Sequence, residues 1–218
     1  MKKSNTFLRV ITSAALLIGL ALVILGEMYI PKIHIVRWVS MLIVMGGIVE
    51  TIMCLVKTNV KTFQKNSLLF SAYLLWLIVV LCSTYVVGAR PWIMLWMLMI
   101  IVGADVGAWF FGLIFGGDKM WEKISAHKTW SGQIGGIICG TGMSLAYGLI
   151  GTHTFMSDLL WVGISVSLLS QYGDLTASFI KRKLDIKDFS NLLPGHGGIM
   201  DRIDGWIYVL PLIWFMLS

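Results

Sequence analysis

Charge is scarce in this chain. Only 13% of its 218 residues are Asp, Glu, Lys or Arg, whereas 57% are hydrophobic and the mean hydropathy is +0.84. A water-soluble globule is excluded by that balance. Cysteine is scarcer still: Cys54, Cys82 and Cys139 each stand alone inside apolar segments. They lack the paired spacing of a disulfide framework or a thiolate metal site, and read as small buried hydrophobes. The chain has no tandem repeat, no low-complexity tract and no separate soluble domain. Met1-Lys2-Lys3 and the apolar run from Ile11 to Gly26 have the charge layout of a signal peptide. No small-x-small cleavage site follows the run and more spans come after it, so a retained first helix is expected.

What is present is a succession of hydrophobic runs of about 20 residues, the length a helix needs to cross a bilayer core. An all-α, polytopic integral membrane protein of about seven transmembrane helices is expected. The spans fall at roughly 8–26, 38–57, 67–88, 91–117, 132–151, 157–180 and 203–217. Residues 1–90 then hold N-terminal transmembrane helices, and 91–218 a catalytic transmembrane region. The fourth span is longer than a crossing requires, and a tilt or break is expected there.

Loop charges set the orientation. With the N-terminus in the cytoplasm, 14 Lys and Arg residues fall on that side and only Lys32, Arg37 and Arg90 on the other. The positive-inside rule supports this arrangement, and the net charge of +6 therefore does not indicate a nucleic-acid partner. Two long polar loops, 118–131 and 181–202, then face the cytoplasm.

Three carboxylates, Glu50, Asp105 and Asp174, fall inside hydrophobic segments. Each costs at least ~2.5 kcal/mol at a helix centre and usually faces a cavity or a partner. Asp105 lies twelve residues before the cytoplasmic end of its span, roughly 18 Å deep, and favours a functional reading. Glu50 is nearer its helix end and can reach interfacial water, so structure and function weigh equally there. Gly103, Gly107, Gly112 and Gly116 form small-xxx-small pairs that point to close helix packing. Ser167, Gln171, Asp174 and Ser178 share one helical face, which reads as the wall of a cytoplasmic cavity.

The chemistry concentrates between Ser178 and Asp204, which holds five of the 17 cations and four of the 11 acids. Asp201 and Asp204 stand three apart at the start of the last span and share a helical face. With Asp174 they offer oxygens suited to Mg²⁺, which takes one or two carboxylates and completes its shell with water and phosphates. Lys128, Lys181, Arg182, Lys187 and Arg202 surround them, a combination expected of a nucleotide-phosphate site. Gly195, Gly197 and Gly198 let backbone approach phosphate closely, and His196 is placed to donate to it.

Ser178, Lys181-Arg182, Lys187-Asp188, Leu193-Pro194, His196-Gly197-Gly198, Asp201-Arg202 and Asp204 resemble the signature of the phosphatidate cytidylyltransferases. Gly173-Asp174-Leu175 fits just upstream, and Ala104 to Gly112 is similar to the family's segment with an intramembrane Asp. Residues 125–136 fit at Lys128, Thr129, Trp130, Gly132, Gly135 and Gly136, and depart at Ala126, His127 and Ser131. The resemblance covers roughly 100–215. It implies transfer of CMP from CTP to phosphatidic acid with Mg²⁺, giving CDP-diacylglycerol and pyrophosphate. Asp174 and Asp201 would hold the metal, supported by Asp204 and Asp105. Lys128, Lys181, Arg182, Lys187 and Arg202 would bind the phosphates, and Trp130, Ser178, Asp188, His196, Gly197 and Gly198 would line the substrate site. The resemblance also implies a homodimer; in a bacterium the membrane would be the inner one, and the loop charges turn the active site toward the cytoplasm. Two other readings stay open: a related enzyme using CTP on another lipid phosphate, and a small anion or metal transporter.

Overall fold

The computed structural model describes residues 2–122, 124–149, 156–195 and 197–218. The protein is all-α apart from one hairpin. Its elements are α1 (Lys2–Tyr29), a 3-10 turn (Pro31–Ile33), α2 (Ile35–Lys57), α3 (Val60–Lys65), α4 (Ser67–Val87) and α5 (Pro91–Phe115). There follow β1 (Lys119–Trp121), β2 (Ser125–Thr129), α6 (Trp130–Gly148), α7 (Met156–Lys183), α8 (Met200–Ile203) and α9 (Trp206–Leu217). Helices stand at all seven places where hydropathy put spans. Four of them, Val10–Tyr29, α2, α4 and α5, are long and apolar enough to cross a membrane. α5 is a single unbroken helix rather than the broken one the sequence allowed.

Burial is arranged for a lipid solvent. Leu42, Val56, Leu113 and Phe115 lie on exposed faces, whereas Ser83, Thr84, Ser144 and Ser167 are fully buried. These four hydroxyls donate to carbonyls: Ser83 to Val79 O (2.7 Å), Thr84 to Val80 O (2.7 Å) and Ser167 to Gly163 O (2.6 Å) one turn back, and Ser144 to Leu159 O (2.6 Å) on α7.

The chain forms two compact units. The first comprises residues 1–91, 180–204 and 210–218; the second comprises 92–179 and 205–209. A boundary near residue 91 was expected, but the charged stretch 180–204 belongs with the N-terminal helices. Within this first unit α2 packs on α4 and on α8. The carboxylate of Glu27 accepts from Val36 N (2.9 Å) and so satisfies an otherwise unpaired donor at the start of α2.

In the second unit α5 and α6 meet through glycine. A Cβ on Gly132, Gly136 or Gly140 of α6 would come within 2.7, 2.8 and 3.0 Å of the carbonyls of Ala108, Ala104 and Ile100 on α5. From the other side, Gly103 and Gly107 admit Met143 and Cys139, and Gly112 admits Thr129. Expected small-residue packing is thus seen at Gly103, Gly107 and Gly112, the three glycines within α5. Gly116 differs: it has φ +56° with open space around it and ends the helix in the left-handed region. The segment after it was read as a loop, yet it folds into an antiparallel hairpin, pairing Lys119 with Thr129 and Trp121 with Ser125.

The last span also departs from expectation. The chain makes the short helix α8, turns at Asp204-Gly205 and begins α9 only at Trp206. Asp201 therefore sits on a separate helical turn, with Asp204 at its C-terminal cap.

Gly136→Ala should lose about 1–3 kcal/mol of stability by overpacking, measured as a lower Tm in detergent. Gly142→Ala, which meets nothing within 4 Å, should hold or raise Tm. Equal effects at both positions would disprove the glycine seam.

Candidate functional site

The site in the first unit is built on the return from α7. The last turn of α7 carries Lys181; the chain reverses at Asp185, whose φ is +57°. It then runs through Phe189 and Ser190 to a short bridge between Leu193 and Gly197, and enters α8. Asp201 closes this excursion. Its Oδ1 lies 2.7 Å from Lys181 Nζ, while Oδ2 accepts from Phe189 N (3.0 Å) and Gly198 N (2.9 Å). Its side chain is only 4% exposed, and these three donors satisfy the carboxylate in that setting. Lys181 is also buried, its ammonium 5.6 Å from the Phe189 ring centre.

A second carboxylate grips the same segment from α2. Glu50, buried, accepts from Ser190 Oγ (2.6 Å) and Met200 N (2.9 Å). One turn on, Cys54 Sγ donates to Phe189 O (2.9 Å). One turn back, Gly46 and Gly47 leave room for Ile199, Met200 and Ile203. Positions 46, 47, 50 and 54 recur at helical spacing and make one face of α2 a platform for the loop. Sequence reasoning weighs structure and function equally at Glu50, names no partner for it and takes α2 as a generic span. The signal that could have found it was this stripe of two glycines and one carboxylate on one face.

The two glycines after His196 acquire a specific purpose. Gly197 has φ +83°, and a Cβ there would lie 3.0 Å from Asp201 Oδ2. A Cβ on Gly198 would lie 2.6 Å from Glu50 Oε2 and 2.9 Å from Ser190 Oγ. The close approach they permit is to these two carboxylates of the protein itself. His196 lies outside the described residues.

The second unit carries its own carboxylate–ammonium pair. Strand β2 places Lys128 so that Nζ lies 2.6 Å from Asp174 Oδ2 and donates to Gln171 O (3.2 Å). Ser178 Oγ donates to Asp174 Oδ1 (3.3 Å). Thr129 caps α6 by accepting from Gly132 N (3.1 Å). Ser131, a departure from the resembled pattern, donates to Gly116 O and thereby ties the end of α5 to the start of α6. The polar stripe on α7 divides. Ser167 is buried and donates to Gly163 O (2.6 Å); Gln171 is buried and donates to Gln133 O (3.3 Å) and Ser167 O (3.2 Å). These two serve helix packing and do not line the cavity expected of them. Asp174, whose side chain is 38% exposed, and Ser178 are the part open to ligand.

Of the other expected residues, Trp130, Arg182, Lys187, Asp188 and Arg202 are exposed, and Asp204 is partly buried. Asp105 lies on an exposed face of α5, next to the buried Ala104.

The donor set suits Mg²⁺ in kind: hard carboxylate oxygens, each balanced by one ammonium whose place a divalent cation can take. No three His, Cys, Asp or Glu side chains cluster for a metal among the described residues. A magnesium ion that takes one or two carboxylates and fills its shell with phosphate and water does not require such a cluster.

Fold and site define an α-helical integral membrane protein with one buried carboxylate–ammonium pair on a glycine-hinged loop and a second, more open pair between β2 and α7. The chain belongs to the cytidylyltransferase family, whose sequence model matches residues 1–218. It is 38% identical over 121 residues to the phosphatidate cytidylyltransferase of Bacillus subtilis, covering 55% of this chain and 45% of that protein. To the phosphatidate cytidylyltransferase of Staphylococcus epidermidis it is 41% identical over 120 residues (55% and 46%). To that of Mycobacterium leprae it is 39% identical over 127 residues (56% and 39%). The chain spans about half the length of the curated relatives it matches, or less.

Removing the α2 grip isolates its contribution. Glu50→Ala leaves the Met200 amide and the Ser190 hydroxyl without their acceptor, at a cost of about 1–3 kcal/mol. Hydrogen exchange of the Met200 amide should accelerate at least tenfold while amides within α4 keep their protection. Unchanged exchange at Met200 would show that Glu50 does not hold the loop.

Proposed function

We propose that this protein transfers CMP from CTP to the phosphate of phosphatidic acid, releasing pyrophosphate and giving CDP-diacylglycerol for phospholipid biosynthesis. The observation that carries this reading is the Asp201–Lys181 pair set inside the loop that bears the resembled signature. Membership of the cytidylyltransferase family supports it.

The chemistry requires little beyond charge and alignment. An anionic oxygen of the lipid phosphate attacks the α-phosphorus of CTP; the new P–O bond forms as the α–β bridging bond breaks, and pyrophosphate leaves with the electron pair. The nucleophile is already ionised, so no general base is needed. What opposes the reaction is repulsion between polyanions, which preorganised cations relieve. Lys128, Lys181, Arg182, Lys187 and Arg202 serve that end, with Trp130, Ser178, Asp188 and His196 beside the substrates. Asp174 and Asp201, supported by Asp204 and Asp105, are the residues we assign to Mg²⁺, which supplies Lewis-acid neutralisation of the phosphates when bound. Lys181 and Lys128 each pair with one of these carboxylates. The same reading takes a protein of seven spans, with its N-terminus and both polar loops in the cytoplasm, in the inner membrane of a bacterium and paired as a homodimer.

Purified protein in mixed micelles should release pyrophosphate only when CTP, Mg²⁺ and phosphatidic acid are all present, and Asp201→Asn should lower kcat at least about 100-fold. Pyrophosphate release with an isoprenoid phosphate and none with phosphatidic acid would overturn the substrate; near-normal turnover of the variant would remove Asp201 from the site. Leu192→Cys, in a chain otherwise without cysteine, should react with an impermeant maleimide only from the cytoplasmic face. Labelling from the opposite face alone would invert the topology.

A further inference from the structure

Beside the Asp201 loop, within the first unit, lies a groove of about 730 Å³ that neither carboxylate–ammonium pair lines. One wall is the end of α2 and the start of α3, with Lys57, Asn59 and Thr62; the other is the segment with Asp185, Asp188 and Asn191. Its volume falls in the range of small-molecule sites. Its charge is the wrong sign for a polyphosphate: Glu50, Asp185 and Asp188 face a single cation, Lys57. The carboxylates of Asp185 and Asp188, the amide of Asn191 and the hydroxyl of Thr62 make no hydrogen bond among the described residues. Such a surface suits a neutral ligand rich in both donors and acceptors.

Groove and reaction centre meet at one glycine. A Cβ on Gly197 would lie 3.4 Å from Asp188 Oδ1 and 3.0 Å from Asp201 Oδ2, so the two carboxylates flank the same turn. A molecule that puts its neutral part in the groove therefore brings whatever is attached to it next to Asp201.

We propose that this groove holds the nucleoside half of CTP, with the Asp188 carboxylate accepting from the exocyclic amine of cytosine. The inference rests on the nucleotide reading given above. Asn191 and Thr62 complete the edge of the base with one amide and one hydroxyl, which match an acceptor-rich ring. The acidic lining repels the triphosphate, which is left to the exposed cations Arg182, Lys187 and Arg202 of the same unit. Uracil presents a carbonyl where cytosine presents the amine. Against a carboxylate that carbonyl finds no donor, so the groove selects cytosine.

The probes are CMP and UMP, which carry one phosphate and need no turnover. Equilibrium dialysis against the full-length protein in detergent should show CMP bound at least about tenfold more tightly than UMP. Asp188→Asn should erase that preference, because an amide can offer either a donor or an acceptor. Asn191→Trp, which fills the groove, should abolish CMP binding and leave pyrophosphate binding unchanged. Equal binding of CMP and UMP by the unaltered protein, a preference that survives Asp188→Asn, or CMP binding that survives Asn191→Trp would each overturn the proposal. Cytosine preference without transfer to phosphatidic acid would sink the enzymatic reading and leave the groove standing. Transfer without cytosine preference in binding would do the reverse.

Discussion

One buried anion organises the polar part of this protein. The Asp201 carboxylate, almost wholly removed from solvent, is met by one ammonium and two backbone N–H groups. Desolvating such a group is expensive, and charge-assisted hydrogen bonds are the interactions strong enough to offset it. The donors come from the end of α7, from Phe189 and from Gly198, so meeting the needs of one side chain draws three stretches of chain together. The described residues of 185–199 contain one isolated bridge and no helix, so side-chain contacts are what order the segment.

Glu50 performs the complementary task from α2. It anchors the same loop to a helix through a hydroxyl and an amide, and the glycines at 197 and 198 let the backbone pass between the two acids. The loop thus acquires rigidity from electrostatics where its own sequence supplies no periodic hydrogen bonding. A phosphate-transfer site needs that rigidity, because its cations and acids must be aligned before the substrates arrive. In the second unit the pair Lys128–Asp174 is more open to solvent, with side chains 24% and 38% exposed. The arrangement there depends on glycine packing between α5 and α6 and not on a buried anion.

Much of this was legible in the amino-acid sequence because it depends on local pattern. Helix positions follow from runs of apolar residues of bilayer length. That Asp174, Lys181 and Asp201 engage specific polar partners follows from their polarity amid apolar sequence. What was not legible depends on pairing across the chain. Nothing near Glu50 announces that its acceptors will meet Ser190 and Met200. Nothing in Ser167 and Gln171 separates a cavity wall from a packed seam, since both would place polar atoms on one face. Gly116 shares its spacing with Gly103, Gly107 and Gly112, yet serves as a helix terminator, because backbone dihedrals are invisible to a residue count. The hairpin at 119–129 was hidden by its shortness and its charge.

The contact between Glu50 and Met200 joins positions 150 residues apart. A ribosome adding roughly 5–20 residues per second would insert α2 about 8–30 s before the segment that satisfies its carboxylate emerges. Throughout that interval a nascent α2 carries an acid with neither of its donors yet in place. The side chain at position 50 thus answers to the order of synthesis as well as to the folded protein.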